Sequence, residues 1–250
     1  MKSEANAINF NDIKKKVDYL LHRENVVRLI NYLVHKLKFR SQTFYLATYL
    51  TDMVMMHLDN LGNIEDFSIS AELVAVSCLV LTVKFDEIDA VAPDLNFFRT
   101  INYGSKSKFS CEPEEILHCE LLSLKLLDYR LNYMTPYHFV NFLFANGIVF
   151  KDEVLKTNIE EDSSNEINVN VNKYEKIYES AKEALFLFVE GKLQVNLEED
   201  YLYYTSVEIA CACIALGRSL YLEIIWDQRL EKTYEISYED FSDCFELINK

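Results

Sequence analysis

Residues 73–88 read LVAVSCLVLTVKFDEI. From Leu73 to Val83 there are 11 residues without a charge, apolar almost all the way round a helical wheel, and the run then stops at Lys84. A helix with no polar face must be surrounded by other helices. Its small residues Ala75, Ser77 and Cys78 let such neighbours come close. Eleven residues is well short of the length that spans a membrane. The stretch therefore predicts the central, buried helix of an all-helical bundle.

Upstream, Leu20, Val27, Ile30, Val34 and Leu37 recur at helical spacing, so a helix begins before residue 20. Arg40 to Asp59 repeats the pattern with Phe44, Ala47, Leu50, Val54 and Leu58. Downstream, Asp89 to Ile101 reads as a short helix with Pro93 in its first turn. The polar loop INYGSKSKFS follows. A further helix starts near Cys111, where Pro113, Glu114 and Glu115 suit an N-terminus through fixed φ and favourable interaction with the helix dipole.

The second half repeats the plan. Thr135-Pro136 is an N-cap followed by proline at the first helical position, opening a helix through Phe144. Residues 151–172, rich in Asn, Glu and Ser, read as an exposed, disordered insertion. Helical spacing resumes at Tyr174 with Ile177, Ala181, Ala184, Leu185, Phe188 and Val189. A second apolar helix, TSVEIACACIALG, covers 205–217. Ser237 with Asp240 three residues on resembles a capping box for a last helix through Ile248. The expectation is an all-α chain: an N-terminal segment 1–19, then two units, 20–133 and 134–250, of about five helices each around a buried one. A single irregular helical domain with two buried helices is the alternative that periodicity leaves open.

Composition supports long helices over a turn-rich β fold: 250 residues hold only 5 glycines and 3 prolines, against usual shares of about 7% and 5%. The net charge of −15 is concentrated in 151–166, with six acids against Lys151 and Lys156, and in 223–250, with eight acids against Arg229, Lys232 and Lys250. No stretch clusters Lys and Arg as phosphate neutralisation requires, which argues against direct nucleic-acid binding. The acidity is read as a device for solubility. The six cysteines form no C-x-x-C pair, and Cys78, Cys211 and Cys213 sit in apolar runs, pointing to a reducing compartment without zinc. With no signal-peptide pattern at the N-terminus, a soluble intracellular protein of nucleus or cytoplasm is expected.

No catalytic motif emerges. The five histidines lack the H-E-x-x-H spacing of a metal site, and no glycine-rich phosphate loop is present. An enzyme, a cofactor and a metal are therefore not expected. What stands out is charge inside apolar helices: Lys84 after its 11 uncharged residues, Glu120 in HCELLSLKLL, Arg23 in the first helix and Asp52 in the second. Internal ion pairing would be sufficient reason for each, because a lone buried charge costs several kcal/mol.

Taken together these segments resemble the cyclin family. LVAVSCLVLTVKFDEI is similar to the cyclin-box signature, an apolar helix ending in Lys-Phe-Glu-Glu-Ile. FRSQTFYLATYLTDMVM (39–55) is similar to the second helix of the box at Thr43, Leu46, Ala47 and Asp52, and HCELLSLKLL to the fifth through Glu120, Leu122, Leu124, Lys125 and Leu127. The family's most constant positions fall on Arg23, Asp52, Leu73, Lys84 and Glu120. The second half resembles a C-terminal cyclin fold more weakly, through YLYYTSVEIACACIALG (201–217).

The resemblance implies a non-catalytic subunit that binds and activates a cyclin-dependent protein kinase as a heterodimer. Lys84 and Glu120 would hydrogen-bond the kinase backbone near its C-helix, with Phe85, Glu87 and Ile88 beside them. Arg23 and Asp52 would form an internal bridge, and Leu73 would mark the core. It also implies a substrate-docking patch at His22, Val26 and Leu29. There the sequence departs from the family's Met-Arg-Ala-Ile-Leu…Trp, with His22 for Met, Asn25 for Ile and Leu29 for Trp. Two other classes remain: a cyclin-fold adaptor of transcription-factor type, whose usual zinc ribbon and basic surface are missing from this sequence, and an unrelated helical enzyme. Whether the role is in division or transcription is open.

Overall fold

The computed structural model describes residues 17–60, 69–87, 93–103, 107–154, 156, 166–191 and 204–249. They divide into two compact units, the first ending at Leu131 and the second starting at Asn132. The described residues are mostly helical.

In the first unit, α1 (Val17–Leu37), α2 (Ser41–Asn60) and α4 (Pro113–Leu126) pack against α3 (Ala71–Asp86) or one another. Ser70 caps α3, its hydroxyl accepting the Leu73 N–H at 3.2 Å, and every residue from Val74 to Val83 is buried. The helix with no polar face is thus enclosed, as its sequence demands. Around it α1 contributes Val26, Val27, Leu29, Ile30 and Leu33, and α2 contributes Ala47, Leu50 and Val54, all at 0–1% exposure. Pro113 opens α4, where the Glu115 carboxylate accepts the Glu112 N–H at 2.7 Å.

Between α3 and α4 the structure departs from the expectation of a helix over 89–101. Its described part is a five-residue 3-10 helix, Leu95–Arg99, opened by Asp94, whose carboxylate accepts the Asn96 N–H at 3.0 Å. Such a local bond offers the backbone a tight turn in place of an α-helix. Ile101 lies instead in β1 (Ile101–Asn102), paired antiparallel with β2 (Lys108–Phe109). The segment read as a polar loop is therefore a hairpin. Its inward residues, Ile101 and Phe109, are buried, while its Ser and Lys residues hide that alternation in the sequence.

The second unit holds α5 (Pro136–Asn146), α6 (Glu166–Glu190), α7 (Ser206–Tyr221), α8 (Gln228–Tyr234) and α9 (Ser242–Ile248). Thr205 and Glu208 form a capping box on α7, the Thr205 N–H donating to Glu208 Oε2 at 2.6 Å and the Glu208 N–H to Thr205 Oγ1 at 3.3 Å. Ile209 to Ala215 are all buried against α5, α6 and α9. Gly217 allows a close approach to α6. A β-carbon there would stand 2.6 Å from the Ile177 carbonyl oxygen and 3.2 Å from the Ala181 nitrogen of α6. α8, which periodicity missed, is capped by Asp227 through the Arg229 N–H at 2.7 Å. The Ser237/Asp240 box opens a 3-10 turn, Tyr238–Asp240, and α9 follows it.

The disordered insertion expected over 151–172 is corrected where it is described. α6 already begins at Glu166. Upstream, Arg218, 0% exposed, pairs with the buried Glu153 carboxylate and donates to the carbonyls of Ile148 and, at 2.7 Å, Ile225. Lys173 Nζ donates to the carbonyls of Phe150 at 3.2 Å and Glu153 at 3.0 Å. The Arg229 guanidinium lies 3.8 Å from the Phe150 ring centroid and 2.8 Å from Asp152. Val154 and Lys156 then pair through the backbone with Glu223 and Tyr221. Local composition cannot see cations that arrive from 20 to 80 residues away.

All six cysteines are free and buried. Burial pushes the Cys78, Cys211 and Cys244 thiols up to about 12, which leaves them without thiolate at neutral pH. Ellman's reagent is expected to label no cysteine in the native chain and six after unfolding in urea. Gly217→Ala is expected to lower stability by about 1–3 kcal/mol, the scale of overpacking. Arg218→Ala is expected to lower it by about 3–5 kcal/mol, because the buried Glu153 carboxylate would keep only the Phe150 N–H. Both are measurable by urea unfolding followed through Trp226, the single tryptophan, buried in this unit.

Candidate functional site

α3 leaves the core only in its last turn. Lys84 is the first residue after the buried run to reach solvent, its side chain 44% exposed. α4 passes alongside and brings Glu120, 6% exposed, to meet it. Lys84 Nζ lies 2.7 Å from Glu120 Oε1 and 2.9 Å from Oε2. An ammonium carries three donors. Two face the carboxylate, and the exposed third can take an acceptor from outside.

The rim of this pair is apolar. Phe85, next to Lys84, is 51% exposed, and Leu117 and Leu121 of α4 are about half exposed. Positions 117, 120, 121 and 124 share one side of a helix, so Leu117, Leu121 and the half-buried Leu124 flank Glu120. Grouped around the charge pair, these side chains make an apolar patch at the surface, a feature of the kind that interfaces use. The sequence reading missed Leu117 and Leu121. Their spacing of four is equally that of core residues on any amphipathic helix, so it does not single them out.

Glu87 is turned inward. Its carboxylate accepts the Arg40 backbone N–H at 2.8 Å, Arg40 Nε at 3.0 Å and the Thr43 hydroxyl at 2.5 Å. Burial works to raise its pKa, but the bonds from Thr43 and Arg40 outweigh that and hold the carboxyl below its ordinary 4.5. Ile88 lies outside the described residues.

Arg23 and Asp52 join α1 to α2 inside the core, at 1% and 4% exposure. Arg23 Nε and Nη2 each stand 2.9 Å from one carboxylate oxygen, and the Tyr19 hydroxyl donates to Asp52 Oδ1 at 2.7 Å. This two-pronged geometry with an added donor is what a buried ion pair requires. Leu73, expected to mark the core, is only half buried in the first turn of α3. Its backbone is held by the Ser70 cap, and the enclosed run starts one residue later.

The expected docking patch is corrected as well. His22 is exposed, but Val26 and Leu29 are 0% exposed and belong to the core. Each gains about 1.5–3 kcal/mol from that burial, so neither is offered to a peptide at the surface. Among the described residues no group of three or more His, Cys, Asp or Glu could hold a metal ion, and no helix is long and apolar enough to cross a membrane.

The first unit is thus a helical bundle around an enclosed helix, whose last turn brings Lys84 to the surface beside the buried Glu120. The family model described as "Cyclin, N-terminal domain" matches residues 2–132, more than half of the chain. The chain belongs to the cyclin family. It is 30% identical over 205 residues to the Cyclin-J-like protein of Mus musculus, covering 82% of this chain and 48% of that protein. Over 122 residues it is 33% identical to Cyclin-D5-1 of Arabidopsis thaliana, covering 47% of this chain and 35% of the relative. Over 138 residues it is 30% identical to G2/mitotic-specific cyclin-2 of Saccharomyces cerevisiae, covering 51% and 25%. The chain spans half or less of the length of each of these relatives. The match to the mouse protein is too long to lie within residues 2–132 and so reaches into the second unit.

Arg23→Ala is expected to destabilise the chain by about 3–5 kcal/mol in urea unfolding, since Asp52 would keep only Tyr19. A carboxylate with a lowered folded pKa contributes stability that is present above its unfolded value and lost as pH falls through the folded one. The stability difference between the native chain and Glu87→Gln is therefore expected to be constant above about pH 5 and to shrink below pH 4.5, read from urea midpoints across that range.

Proposed function

We propose that the chain is a kinase-activating cyclin: a non-catalytic subunit of two tandem cyclin-box-like domains that binds a cyclin-dependent kinase as a heterodimer and switches it on. The observation that carries this reading is the Lys84–Glu120 pair within the apolar rim of Phe85, Leu117 and Leu121. An ammonium donates to the carbonyls and a carboxylate accepts from the N–H groups that helix ends leave unmatched. The site therefore suits the end of a partner helix, and the rim supplies area for its apolar side chains.

Phosphoryl transfer by a protein kinase needs a Lys–Glu ion pair between its β3 strand and its C-helix. A subunit that binds the kinase better when that helix is in place shifts the kinase toward its active arrangement by the difference in affinity. No chemistry of the cyclin's own is required. Arg23–Asp52 keeps α1 on α2 and so supports the bundle behind the site. The names of the relatives, one of them a G2/mitotic-specific cyclin, favour a role in cell division over one in transcription. The burial of Val26 and Leu29 supports a role in binding and activation, with substrate choice left to the kinase. A nuclear or cytoplasmic protein without direct contacts to nucleic acid fits this reading.

Lys84→Ala and Glu120→Ala are each expected to weaken binding to the partner kinase roughly thirty-fold or more, about 2 kcal/mol, with the helical circular dichroism unchanged. Co-purification from a eukaryotic lysate, with the kinase identified by mass spectrometry, is the measurement. A double variant that retains the kinase at the native level would refute the mechanism. Absence of any kinase with the native chain would favour an adaptor.

A further inference from the structure

The end of α3 and the start of α2 close each other. α2 has no acidic residue in its first turn, so its leading N–H groups lack a local carboxylate. Glu87, the residue that stops α3, supplies one from a neighbouring helix. Its Oε1 accepts the Arg40 N–H at 2.8 Å and the Thr43 hydroxyl at 2.5 Å. Arg40 answers in the other direction. Its Nε donates to Glu87 Oε2 at 3.0 Å, and a terminal nitrogen donates to the Asp86 carbonyl, in the last turn of α3. Gln42 adds a 3.0 Å bond to Asp86 Oδ1. An anion at a helix N-terminus and a cation at a C-terminus are each the favourable arrangement for the helix dipole.

This reciprocal cap lies immediately beside the docking pair. Glu87 is 9% exposed and committed to α2, whereas Lys84 and Phe85, three and two residues earlier, are 44% and 51% exposed. The Glu87 N–H still bonds to the Val83 carbonyl at 3.2 Å, so the last turn is intact through the cap. We infer that Arg40, Thr43 and Glu87 are positioning residues for the kinase-docking site. They fix where α3 ends and hold Lys84 and Phe85 in helical register against α4, without touching the partner themselves. The inference rests on the kinase-docking reading and adds to it how the site is kept formed before the partner arrives. With the cap removed the last turn frays and Lys84 leaves Glu120. Binding must then rebuild the turn, at the expense of affinity.

The test uses the full chain and a panel of purified cyclin-dependent kinase catalytic subunits, with affinity measured by calorimetry and amide exchange followed by mass spectrometry. Glu87→Ala is expected to weaken binding about five- to tenfold and to speed exchange at Phe85–Glu87 while α4 stays protected. Glu87→Gln, whose amide oxygen still accepts from Arg40 and Thr43, is expected to recover most of both effects. Arg40→Ala keeps the backbone N–H in the cap and removes the guanidinium. It is expected to cost about threefold or more, and it carries the test should Glu87→Ala fail to fold. Native affinity in Glu87→Ala or Arg40→Ala, alongside loss of binding in Lys84→Ala, overturns the positioning role and leaves the docking site standing. Native affinity in Lys84→Ala overturns both.

Discussion

The first unit depends on enclosing α3. Ten consecutive residues, Val74 to Val83, are buried on every side, and a helix with no polar face has no stable place at a surface. Three helices have to close around it. Once they do, the first residue able to leave the core is Lys84, so the same constraint that builds the bundle also sets where a charge emerges. The exposed end of a buried helix is a rigid place to mount a contact residue, because the rest of that helix cannot move without opening the core.

Charge inside the two units is handled in different ways. Arg23 and Asp52 meet between two adjacent helices, with Tyr19 completing the carboxylate. Arg218 instead spreads its donors over Glu153 and the carbonyls of Ile148, Ile224 and Ile225, tying loops to α7. Neither arrangement is strong grounds for stability by itself, since desolvation offsets much of the attraction. Each does define a single geometry, because losing one partner leaves a bare charge in the interior. Lys84–Glu120 is the half-open member of the set, with a buried acid and a solvent-facing base. That asymmetry leaves the Lys84 ammonium open to solvent.

Much of this was legible along the chain. The helices α1 to α5 and α7 follow from apolar spacing and, for α5, from the cap at Thr135, all of them local signals. Lys84, Glu120, Arg23 and Asp52 stood out as charges in apolar surroundings. The misreadings have separate causes. The strands at 101–102 and 108–109 pair within eight residues, but polar neighbours mask their alternation. The ion pairs of Asp152 with Arg229 and Glu153 with Arg218, and the bonds that draw Glu87 to Arg40 and Thr43, depend on partners 44 to 77 residues away.

By itself the sequence determined the helical class and the two enclosed helices, because hydrophobic period and capping chemistry act within a few residues, and it marked Lys84 and Glu120 as charges in apolar surroundings. The tertiary structure decided which charges face inward and which face out. Val26 and Leu29 went into the core, Glu87 went to the start of α2, and Glu153 went to Arg218. Lys84, held by Glu120 and ringed by Phe85, Leu117 and Leu121, was left at the surface. Burial and ion pairing are settled by what lies across the fold, and no local pattern contains that information.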